Sequence, residues 1–67
     1  MKLGENIRIF RQQQKLTQEG LAGMLGGHKS LVSNYENGHS LPDIYVIWKL
    51  ADIFDVTIDE LVGREKF

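Results

Sequence analysis

The chain has 67 residues, a net charge of −1 and no cysteine. That is room for one domain, near the lower size limit for a core held by packing alone, and it excludes a disulfide framework and thiolate metal sites. No stretch is apolar for long enough to be a signal region or a membrane span, and the near-neutral balance excludes indiscriminate, histone-like adhesion to polyanions. A reducing cytoplasm is the expected compartment, and residues 1–67 are expected to form a single domain whose tail, 64–67, either frays or continues into something further.

Leu3, Ile7 and Phe10 recur at helical spacing and predict a first helix over about Leu3 to Gln14. A second is expected over about Gln18 to Leu25, capped by the Thr17 hydroxyl, and a third over about Lys29 to Asn37, closed by Gly38 in a left-handed conformation. Two helices cross steeply only where the crossing residues are small or apolar and the turn tolerates unusual backbone angles. Ala22, Gly26 and Val32, with the Gly26-Gly27 joint, meet both demands. Pro42 suits the first turn of a fourth helix running to about Phe54, and Thr57-Ile58-Asp59-Glu60 reads as a capping box opening a short fifth helix that ends near Gly63. No strand pattern, repeat or low-complexity tract interrupts this order, so the expected class is all-α. The periodicity assigns Leu3, Ile7, Phe10, Leu16, Leu21, Leu25, Val32, Ile47, Leu50, Ala51, Phe54, Val56 and Leu61 to the core.

The third helix carries the most information. At 100° per residue Leu31, Val32 and Tyr35 point one way, while Lys29, Ser30, Ser33, Asn34 and Asn37 share an arc of roughly 140° on the other. An ordinary solvated face would carry long Glu and Lys side chains for helix propensity. Ser and Asn are mediocre helix formers but versatile hydrogen-bond donors and acceptors, the kind of group that addresses base edges and phosphate oxygens. Charge is distributed to match. Residues 1–41 hold Lys2, Arg8, Arg11, Lys15 and Lys29 against Glu5, Glu19 and Glu36, whereas residues 42–67 hold six acids against Lys49, Arg64 and Lys66.

Leu16-Thr17-Gln18-Glu19, Leu21-Ala22, Leu25-Gly26, Ser33-Asn34-Tyr35-Glu36-Asn37-Gly38 and Leu41-Pro42, continued through Ile47, Leu50-Ala51, Val56 and Asp59-Glu60-Leu61, resemble the phage-repressor and Cro-type (XRE-like) helix-turn-helix family. The likeness runs from about Leu3 to Val62. It implies a compact five-helix, repressor-like domain of bacterial or phage origin that binds double-stranded operator DNA, usually palindromic and usually as a homodimer, through a helix-turn-helix formed by helices 2 and 3.

Carried over by position, the resemblance makes Lys29 and Ser30 the leading base readers, since the third helix enters the major groove N-terminus first in this geometry. Ser33 and Asn34 reach further bases, Asn having the donor and acceptor pair that suits adenine, and Asn37 grips phosphate. Gln18 holds a phosphate, braces the reading helix or is a plain first-turn residue; His28 contacts phosphate or caps. The resemblance also implies that Arg11 meets Glu36 and orients the third helix, the alternative being two independent surface charges. Thr17, Ala22, Gly26 and Val32 support the same helix. Three positions depart from the family pattern: Gly20 removes the capping-box partner of Thr17, Gly23 replaces a common Lys or Glu, and Gly27 stands where a small apolar residue usually plugs the turn.

The fourth helix departs in the other direction. Ile44, Ile47, Leu50, Ala51 and Phe54 form its expected core side, yet Tyr45, Val46 and Ile53 lie on the far side, flanked by Trp48. A helix apolar nearly all round needs a cover, and a dimer surface of Tyr45, Val46, Trp48 and Ile53 is expected, with Trp48 either an anchor or a roof over the core. The alternative is that Tyr45 faces DNA backbone while the fifth helix and the tail pair. No enzymatic activity, cofactor, metal or small-molecule ligand is expected, because His28 and His39 have no partners at ligand or nucleophile spacing. The competing function is a helix-turn-helix protein-interaction module, such as an antitoxin-like partner.

Overall fold

In the computed structural model, which describes residues 2–63, five helices follow in the order α1 (Leu3–Gln13), α2 (Gln18–Met24), α3 (Lys29–Glu36), α4 (Ile44–Phe54) and α5 (Ile58–Val62). Local chemistry sets most boundaries. Thr17 Oγ1 accepts from Gly20 N at 2.9 Å to open α2, and Asp43 Oδ1 accepts from Val46 N at 3.0 Å to open α4. α5 has the full reciprocal box, with Glu60 N donating to Thr57 Oγ1 and Thr57 N donating to Glu60 Oε1, both at 3.0 Å. Pro42 therefore lies just outside α4, buried, rather than in its first turn.

The helix ends share one device. After α2 and α3 the chain turns left-handed at Gly26 and Gly38, letting Gly27 N reach Ala22 O and His39 N reach Asn34 O, both at 2.9 Å. α1 and α4 end the same way without glycine. Lys15 (φ 58°) and Asp55 (φ 56°) take the left-handed position, and Leu16 N and Val56 N close back on Arg11 O and Ala51 O at 3.0 Å.

Each helix places one residue at the centre: Ile7, Leu21, Val32, Leu50 and Leu61 are the largest fully buried side chains. Leu3, Ala22, Tyr35, Ala51 and Phe54 complete the core, and Phe10 lies with its ring centroid 5.8 Å from that of Phe54. Phe10, Leu16, Leu25, Ile47 and Val56, expected inside, are half-buried and pack around the rim. A domain this small has almost no second layer. Ile44 is a clearer correction: expected on the core side, it is the first residue of α4 and is exposed, while Val46 and Ile47 of the same turn pack against the core. Val46 and Ile53, expected on an open dimer surface, are half-buried against the core. No described helix is long and apolar enough to cross a membrane.

Candidate nucleic-acid interface

α1 packs against α3, and α2 against α3, so the third helix is held on two sides with one face left free. Its approach to α1 is unusually close. A Cβ on Gly4 would lie 2.6 Å from the carbonyl oxygen of Tyr35 and 2.8 Å from that of Glu36, so only glycine lets the last turn of α3 rest on α1. Sequence reasoning passed over Gly4; its one signal was a glycine inside a helical pattern.

The Glu36 carboxylate is the hub of this contact. Its side chain is fully buried, and Arg11 forms a fork with it, Nε donating to Oε2 at 2.7 Å and Nη2 to Oε1 at 3.2 Å. Arg11 Nη1 also donates to Leu16 O at 2.8 Å, tying the α1–α2 turn to the same group. Gln18 Nε2 and Arg8 Nε donate to Oε1 at 3.1 and 3.3 Å. Burial alone would push the Glu36 carboxyl up, but the hydrogen bonds from Arg11, Gln18 and Arg8 outweigh it and hold the group below its ordinary value. One carboxylate thus joins α1, α2 and α3. Arg8 is a further residue missed from sequence, although its place three before Arg11 puts both on one helical face.

The remaining polar residues fall into two sets. Gln18 is engaged by Glu36, while Asn37 Nδ2 donates to Ser33 Oγ at 3.3 Å and Asn37 Oδ1 accepts from Arg8 Nη2 at 3.2 Å. These side chains are held in place within the domain. Lys29, Ser30 and Asn34 are exposed, and among the described residues no side-chain hydrogen bond engages them. His28 holds the N-cap position of α3 in extended conformation, but its side chain makes no cap hydrogen bond, which removes the capping role and leaves an exposed imidazole beside Lys29.

Two of the three unusual glycines, Gly23 and Gly27, shape the same surface. A Cβ on Gly23 would meet nothing within 4 Å, and Gly23 and Gly27 help line an open depression of about 470 Å³ with Glu19, His28, Lys29 and Ser30. The turn is not an empty socket, however. Leu31 Cδ2 lies 2.7 Å from where a Gly27 Cβ would stand, so Leu31 occupies space that a side chain at 27 would take. Gly26 is required for its backbone angle rather than for close packing, since nothing crowds it, and Ala22 alone is the small buried residue at the crossing.

A short helix followed by a tight glycine turn and a second helix, braced from behind and polar in front, defines a helix-turn-helix domain. A family model described as "Helix-turn-helix" matches residues 7–61, and the chain belongs to that family, several of whose similar members are HTH-type transcriptional regulators. It is 40% identical over 63 residues to the uncharacterized HTH-type transcriptional regulator YazB of Bacillus subtilis, covering 94% of this chain and 91% of that protein. With the HTH-type transcriptional regulator AnsR of the same organism it shares 41% identity over 62 residues, 92% of this chain but 53% of AnsR. The chain thus spans nearly all of one relative and about half of the other. The P22 c2 repressor protein, solved in complex with a synthetic operator, superposes with a TM-score of 0.83 at 26% identity, covering 91% of this chain and 92% of that one.

Proposed function

We propose that this protein is a repressor-like, sequence-specific regulator that reads an operator in double-stranded DNA with α3 in the major groove, in the cytoplasm and as a homodimer on a palindromic site. The observation that carries the reading is the division of the α3 face into held and free side chains. Lys29, Ser30 and Asn34 are exposed and unengaged, as base readers must be before they meet DNA, whereas Glu36 and its three donors fix the helix from which they project. The P22 c2 repressor, so similar in fold, is seen on an operator, which supports the same docking here. Gln18, His28 and Asn37 contact phosphate in this reading, Gln18 and Asn37 by presenting groups already oriented by their bonds to Glu36, Arg8 and Ser33.

Selection of bound sites from random duplex DNA tests it. An enriched, two-fold-symmetric site is expected, with binding that weakens as salt rises. Lys29→Ala and Asn34→Ala should each cost about 1 to 3 kcal/mol and relax preference at particular positions. Asn37→Ala should weaken all sequences alike. Failure to enrich any site would overturn the reading in favour of a protein-interaction module.

A further inference from the structure

The amide of Asn37 is held at both of its polar atoms. Arg8 Nη2 donates to Oδ1 at 3.2 Å, and Nδ2 donates to Ser33 Oγ at 3.3 Å. A guanidinium can only donate, so the amide oxygen must face Arg8 and the nitrogen must face Ser33. The Ser33 hydroxyl therefore accepts from Asn37, and its own proton turns elsewhere. In a helix that proton commonly goes to the carbonyl three or four residues back, but among the described residues Ser33 Oγ donates to nothing. Two donors are left free, the hydroxyl proton of Ser33 and the second amide proton of Asn37, on atoms 3.3 Å apart. At 100° per residue Ser33 and Asn37 follow Lys29 along one edge of α3, whereas Ser30 and Asn34 lie roughly 60° further round as a pair.

Resting on the reading above in which Asn37 meets phosphate, we propose that Ser33 and Asn37 together clamp one backbone phosphate of the operator, each donating to one of its two unesterified oxygens, and that Arg8 is the positioning residue that fixes this polarity. Two adjacent donors match a group that only accepts, whereas base edges in the major groove mix donors with acceptors. Ser33 then addresses the DNA backbone, which leaves base reading to Lys29, Ser30 and Asn34. Charge agrees with an anion here. The C-terminal end of a helix by itself repels one, but Arg8, with its side chain 47% exposed, and Arg11 stand against the single carboxylate of Glu36. Lys2 and Glu5, which line the depression beside Asn37 and Gly38, offset each other and leave that end of α3 net positive.

The probe is the duplex enriched by the selection above, made with single methylphosphonate linkages, each of which removes the charge of one phosphate. Wild type should lose affinity at one linkage per half-site that Ser33→Ala and Asn37→Ala, both folded by circular dichroism, no longer sense. On the unmodified duplex Ser33→Ala should bind about tenfold more weakly with its base preference unchanged, and Ser33→Thr, which keeps the hydroxyl, should bind as wild type does. Combining Ser33→Ala with Asn37→Ala should lose less than the product of the two single losses, because one phosphate is shared. Arg8→Met should erase the sensitivity at the same linkage. Its lost bond to Glu36 weakens binding to modified and unmodified duplex in proportion and leaves their ratio alone, so the ratio reports on the amide. Asn37→Asp tests the polarity with Arg8 in place: a carboxylate offers Ser33 an acceptor, draws the hydroxyl proton inward and should bind DNA more weakly than Asn37→Ala.

A Ser33→Ala protein that relaxes preference at one base pair, or that keeps wild-type sensitivity at every linkage, would overturn the clamp while the operator reading stands. Arg8→Met with wild-type sensitivity, or Asn37→Asp binding as well as Asn37→Ala, would overturn the part given to Arg8. If no site is enriched, the operator reading itself falls, and the clamp with it.

Discussion

Alanine at Gly23 and alanine at Gly4 are the same chemical change in two helices, and they should move stability in opposite directions. At Gly23, in the interior of α2 with open space around it, the added methyl meets nothing and the gain is the helix propensity difference, about 0.8 to 1 kcal/mol. With an unfolding entropy of about 2.1 cal/mol/K per residue, a chain of 67 residues shifts its Tm by roughly 7 °C for each kcal/mol. Gly23→Ala should therefore melt some 5 to 7 °C above wild type. At Gly4 the propensity gain is smaller, because the residue lies in the first turn, and the new Cβ falls 2.6 and 2.8 Å from two backbone oxygens of α3. Backbone cannot swing aside as a side chain does, so α1 and α3 must separate by several tenths of an ångström. Overpacking of this kind costs about 1 to 3 kcal/mol, which exceeds the gain. Gly4→Ala should melt several degrees below wild type, and it should also weaken DNA binding, since the displaced turn carries Glu36. Thermal denaturation followed by far-UV circular dichroism separates the two variants. A Gly4→Ala protein that melts at or above the wild-type temperature would show that α3 does not rest on α1 as described.

Three further outcomes follow from the same structure. The folded Glu36 carboxyl lies below its ordinary value, so the stability it contributes is complete above the unfolded pKa of about 4.3 and is lost as pH falls through the lowered folded value. Wild-type Tm should fall steadily on acidification below about pH 4.5, whereas Glu36→Gln should be less stable near neutrality by roughly 3 kcal/mol, with Arg11 left uncompensated, and flatter in acid; equal acid slopes would refute this. Asp55→Gly relieves a left-handed non-glycine position at the end of α4 and should raise the urea midpoint by the equivalent of about 0.5 to 1 kcal/mol, with Asp55→Ala lowering it. Gly27→Ala should change stability by less than about 0.5 kcal/mol, because the entropy removed from the unfolded chain is offset by forcing Leu31 from its rotamer; a full kcal/mol of gain would mean that Leu31 yields freely.

Much of the fold was legible because its determinants are local. The hydroxyl caps at Thr17 and Thr57, the left-handed Gly38 and the apolar period act within a few residues of themselves, and five helices in the expected order resulted. The family likeness added the partnership of Arg11 and Glu36, which spacing alone leaves undecided between an ion pair and two separate charges. Only the tertiary structure decided which polar groups are held and which are free. Arg8 and Gln18 reach Glu36 across 28 and 18 positions of chain, and Asn6 Nδ2 donates to the carbonyl oxygens of Glu60 and Leu61 from 54 and 55 positions away. The same is true of Gly4, whose meaning lies in a carbonyl of another helix, and of Ile44, which is exposed at the start of α4 although its spacing groups it with the core residues of that helix. Period and propensity describe a residue against its own helix. What it touches on another helix is set by the packing of all five around Ile7, Leu21, Val32, Leu50 and Leu61, and no window of sequence contains that arrangement.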